Sequence, residues 1–123
     1  MRVHMLAAAL LLLSGASRDA NVPLSIVVSP MQSFAPTTLT IRFHVRPEDA
    51  NRALDVVAES GTYYRSSRIP LEGADAPHMV SVQMRNMPGG EYEMTGALTD
   101  NAGHELAVVH AHVVVIDNSA DPE

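Results

Sequence analysis

After residue 22 the chain alternates apolar and polar residues with a period of two, in short runs separated by turn signals, and that is the signature of strands with one buried face. In Leu24–Val28 the inward set is Leu24, Ile26 and Val28. In Thr37–Val45 it is Leu39, Ile41, Phe43 and Val45, with Thr40, Arg42 and His44 facing out. Residues 52–59 place Leu54, Val56 and Ala58 inward, opposite Asp55 and Glu59. Residues 61–71, "GTYYRSSRIPL", are more polar and end near Pro70, which fits an edge strand because proline cannot donate to a ladder. Val80, Val82 and Met84 face inward in the next run, then Tyr92, Met94 and Leu98. The last strand runs from about His104 to Ile116. The breaks between runs carry "SP", "RPEDAN", "ESG", "LEGADAP", "MPGG" and "TDNAG". Seven segments at this spacing predict an all-β, seven-stranded antiparallel sandwich.

The first residues do not share this rhythm. "MRVHM" carries one Arg, Leu6–Leu13 is an uninterrupted apolar run, and Ser14 and Ala16 follow as small residues. That is the order of a cleavable signal peptide, too short to span a bilayer permanently. The expected organisation is a signal peptide and short linker over 1–20, an immunoglobulin-like β-sandwich over 21–117 and a polar tail over 118–123. The expected location is periplasmic or secreted, with no membrane span after cleavage.

Charge and composition narrow the partners. Cleavage near Ala16 removes Arg2 and no acidic residue, which moves the formal charge from −6 to −7. An acidic chain without clustered cations argues against nucleic acid and anionic membrane surfaces. There is no Cys, so thiolate ligands, cysteine nucleophiles and disulfides are excluded. No GxSxG, HExxH, P-loop or dinucleotide fingerprint is present, and no catalytic residue is assigned.

One stretch narrows the fold. "NMPGGEYEMTGALTDNAGHELAVVHAHVVV" resembles the C-terminal part of bacterial immunoglobulin-like and fibronectin type III-like domains, in Met87, Pro88, Gly89 and Tyr92 and then in Asp100, Asn101 and Gly103. The resemblance implies a structural tyrosine corner made by Tyr92, Pro88 and Gly89 and a hairpin turning on Asp100, Asn101 and Gly103. It covers about thirty residues and names no subfamily. The Cys pair and core Trp of antibody domains are absent, and so is the strand-B Trp common in fibronectin type III domains.

Two surfaces carry candidate chemistry. In "VVHAHVVV" the alternation puts Val109, Ala111, Val113 and Val115 inward and His110 and His112 outward. A hairpin with Thr99 opposite His104 would set Glu93 against His110 and Glu91 against His112. The expectation is two cross-strand Glu–His pairs, and the alternative is a Zn or Cu site made by His110, His112, Glu91 and Glu93. The second surface is the polar edge, where Tyr63 and Tyr64 cannot both point inward. Tyr63, Tyr64 and Arg65 are therefore a candidate binding patch.

The functional expectation is an exported, non-catalytic interaction module of the cell envelope with a protein partner, no cofactor and no enzymatic activity. The alternative is a small periplasmic copper or zinc carrier using surface His, Met and Glu. Copper carriers of the CopC type are similar in size, in lacking Cys and in using Met and His. They also use a histidine at the mature N-terminus, and the mature start expected here, "SRDANVPL", has none.

Overall fold

The computed structural model describes residues 22–117. The stretches read as signal peptide and polar tail lie outside the described residues. Eight strands follow one another: β1 (Leu24–Ser29), β2 (Gln32–Phe34), β3 (Thr37–Val45), β4 (Ala53–Glu59), β5 (Tyr64–Pro70), β6 (Met79–Met87), β7 (Gly90–Thr99) and β8 (Glu105–Ile116). A 3-10 turn at Gly73–Asp75 lies between β5 and β6. Among the described residues no helix is long and apolar enough to cross a membrane.

The strands form two sheets, a three-stranded one in the order β1-β3-β6 and a five-stranded one in the order β2-β8-β7-β4-β5. The inward residues of both merge into one core. Leu39, Ile41, Phe43 and Met84 from the first sheet meet Leu54, Val56, Tyr92, Met94 and Val113 from the second. The strength of the period-two pattern explains this. Each strand has one apolar face, and the two faces can leave water only against each other.

The expected count of seven strands is corrected to eight, and the expected fully antiparallel pairing to one with a parallel pair. The additional strand, β2, runs parallel to β8. Its three residues lie between Pro30 and Pro36, too few to show an alternation. β5 ends one side of the five-stranded sheet, beyond β4.

Gly96 marks a close contact between the two sheets. It faces inward on β7, and a Cβ there would collide with the edge of the Phe43 ring, with Phe43 Cζ 2.9 Å away. A side chain at this point and the Phe43 ring exclude each other.

Candidate metal-binding face

The outward residues of the five-stranded sheet stand in rows across it. One row reads Tyr64, Glu59, Glu93 and His112. The next reads Ser66, Val57, Thr95 and His110, and a third Arg68, Asp55, Ala97 and Val108. Two carboxylates, Glu59 and Glu93, therefore face each other directly, with His112 beside Glu93. Glu93 Oε2 also reaches the neighbouring row and lies 3.2 Å from His110 Nδ1. The same ring nitrogen lies 3.3 Å from Thr95 Oγ1. Both partners of the Glu93–His110 contact are well exposed, at 62% and 57%. Arg68 on this face is occupied by Asp55, which takes both Nε and Nη2, at 2.7 and 3.0 Å.

The expected register is corrected. Glu93 opposes His112, Thr95 opposes His110, and Glu91 opposes Val114. Two local features cause this. The connection takes one residue more than expected, since Thr99 pairs with Glu105 and His104 is drawn into the turn, where Asp100 N donates to His104 O and Gly103 N to Asp100 O. Gly103 takes a φ of 86° to close the turn, a conformation that suits glycine. A bulge then follows, since Leu98 pairs with Ala107 while Thr99 pairs with Glu105. Leu106 is the extra residue. Each feature alone would slide β8 by one position and turn its histidines inward. Together they slide it by two, and the face is preserved while the partners change.

Asp100 holds the turn with its side chain as well. Its Oδ1 accepts from Ala102 N and His104 N, each at 2.9 Å, and Oδ2 lies 3.2 Å from His104 Nδ1. The His104 N–H bond first of all, with the other contacts of the turn, holds the Asp100 carboxyl below the usual range. Asn101 is exposed at the tip.

Tyr92 is fully buried, and its hydroxyl donates to Pro88 O at 2.6 Å. Burial, with Tyr63 nearby, pushes its hydroxyl pKa above the ordinary value, against a smaller opposing effect of Ser60. Gly89 packs against Asp117, whose Cβ would stand 2.5 Å from a Cβ at position 89. The three residues proposed as a binding edge separate. Tyr63 meets Tyr92 edge-on at 6.1 Å. Arg65 Nη1 crosses to Arg85 O at 2.7 Å. Tyr64 stays exposed on the row of Glu59.

No protein-family model matches this sequence, and no curated protein matches it. A solved structure does. Superoxide reductase (neelaredoxin) from Ignicoccus hospitalis is similar over 77% of this chain and 79% of its own, with a TM-score of 0.50 and 14% identity. At that identity the likeness is one of fold, and it corrects the functional expectation. The expected non-catalytic interaction module, with its copper or zinc carrier alternative, is not upheld, because the solved structure that shares this fold is an enzyme. The carrier reading also loses three of its five methionines, since Met84, Met87 and Met94 are core residues at 2% exposure or less, while Met31 and Met79 are exposed.

Glu59 and Thr95 are the members of the face that the sequence reading left out of the candidate site. Glu59 was placed on the outer face, and the missing information was which residue of β7 it opposes. Among the described residues no three His, Asp or Glu side chains converge on one point in the conformation seen. Glu93 and His110 touch, and His112 and Glu59 flank them.

Proposed function

We propose that the outer face of the five-stranded sheet binds one transition-metal ion through His110, His112 and Glu93. The placement of Glu93 carries this reading, because its carboxylate touches His110 while its backbone stands directly opposite His112. Residues two apart on a strand lie about 7 Å from each other, and directly opposed residues have Cβ atoms about 5 Å apart. Rotation of exposed side chains can bring two imidazole nitrogens and a carboxylate oxygen to bonds of about 2 Å. Glu59 adds a second charge from the other side of Glu93. Like charges in direct opposition repel, and a bound cation relieves that repulsion.

Without cysteine the donors are nitrogen and oxygen, a set that suits Cu(II) and Zn(II), with Cu(II) the tighter. Ordering exposed side chains costs up to about 2 kcal/mol each, so the expected dissociation constant for Zn(II) is micromolar, about 10 µM or −7 kcal/mol. These donors support coordination and no particular reaction.

Calorimetric titration of the mature protein with Zn(II) tests the reading. His110→Ala and His112→Ala should each weaken binding at least about tenfold, or about 1.4 kcal/mol, and His104→Ala should leave it unchanged. Equal binding by the His110→Ala/His112→Ala double variant would remove the site.

The finer fold assignment belongs to the same reading. An immunoglobulin-like sandwich of the fibronectin type III kind is supported by the order β1-β3-β6 against β8-β7-β4-β5 and by the Tyr92–Pro88 bond. Export to the periplasm or beyond is supported by the apolar run Leu6–Leu13 followed by Ser14 and Ala16.

A further inference from the structure

We infer that His44 and Met79 form a second site, on the opposite sheet, for a soft monovalent metal ion of the Cu(I) or Ag(I) class. The register of β3 against β6 puts His44 directly opposite Met79, and that of β1 against β3 puts Ser25 opposite His44. These residues lie on the outer face of the three-stranded sheet, where with Val22 they line an open hollow of about 500 Å³. Met79 is 53% exposed, unlike Met84, Met87 and Met94, which fill the core. A core role therefore accounts for three methionines and leaves Met31 and Met79, of which only Met79 stands opposite a histidine.

The chemistry of the hollow is selective. Among the described residues its donors are a thioether sulfur and an imidazole nitrogen, with the Ser25 hydroxyl alongside, and no carboxylate lines it. Thioether ligands favour soft ions such as Cu(I), whereas hard divalent ions prefer carboxylate and carbonyl oxygen. Directly opposed strand positions bring Cβ atoms to about 5 Å. The flexible, unbranched methionine can then place its sulfur beside the ring. The two faces thus differ in kind, with nitrogen and carboxylate donors on the five-stranded sheet and sulfur and nitrogen on the three-stranded one.

The test uses Ag(I), which needs no reductant, added in chloride-free buffer to mature protein carrying 13C-labelled methionine methyl groups. The Met79 methyl should shift and saturate at one equivalent. Met79→Leu and His44→Ala should each weaken Ag(I) binding at least tenfold, with the far-ultraviolet circular dichroism unchanged. Met31→Leu, at a methionine that is even more exposed, should leave affinity as it is. A stationary Met79 methyl, an equal response at Met31, or undiminished binding by Met79→Leu overturns the inference. Zn(II) titration of the same sample reports on His110 and His112 separately, so failure of either site is visible without the other.

Discussion

Replacing Gly96 by Ala tests the packing that places both faces. Gly96 is buried on β7, and the new methyl would occupy the position of the Phe43 ring edge. Phe43 is itself wholly buried, so the ring cannot swing into water and must push its neighbours. Overpacking of this kind costs about 1–3 kcal/mol. For a domain of fewer than 100 residues each kcal/mol lowers the melting temperature by about 4–8 °C. The expected loss is therefore about 4–24 °C, with a matching fall in the urea midpoint at unchanged slope. Gly61→Ala is the control. Nothing lies within 4 Å of a Cβ there, and the change should stay within about 0.5 kcal/mol. Phe43→Leu should shrink the penalty of Gly96→Ala in a double-mutant cycle, because the colliding ring is gone. A Gly96→Ala variant that melts within about 1 °C of the parent, or a penalty that Phe43→Leu leaves untouched, would refute the face-to-face contact of β7 with β3.

Four further outcomes follow. Cysteines placed at Glu93 and His112 should form a disulfide on mild oxidation, because opposed strand residues have suitable Cβ spacing, whereas the pair at Glu91 and His112 should not; the reverse would restore the register first expected. Tyr92→Phe should cost about 1 kcal/mol in urea unfolding by removing the bond to Pro88 O. The raised Tyr92 pKa stabilises the fold below the ordinary tyrosine range and is lost as pH rises through the folded value. The parent should therefore lose stability more steeply than Tyr92→Phe above about pH 10. The lowered Asp100 pKa works in the opposite sense, present above the ordinary carboxylate range and lost as pH falls through the folded value; parent and Asp100→Ala melting temperatures should converge below about pH 4.

Much of this architecture was legible because burial acts on alternate residues. Leu39, Ile41, Phe43 and Val45 could be assigned to one face from the sequence, and all four are buried. Pairing was less legible, because a register depends on how many residues a turn consumes. The Asp100–His104 closure and the Leu106 bulge each changed that count by one, and neither alters the hydrophobic pattern of β8. β2 escaped because three residues between prolines carry no period. Arg65 looked like part of an open edge, yet its guanidinium spans to Arg85 O on the other sheet, a contact that only the tertiary arrangement creates. The His44–Met79 pair is of the same kind, two residues 35 positions apart in the chain joined by a register.

The central claim concerns one face of one sheet, and its most direct test is site-resolved. Imidazole nitrogen resonances of the uniformly 15N-labelled protein should be followed as Zn(II) is added at neutral pH. The account predicts that His110 and His112 shift together and saturate at one equivalent, while His44, His78 and His104 stay in place. Saturation at His104 instead, beside Asp100, or a gradual drift of all these histidines without saturation, would contradict it.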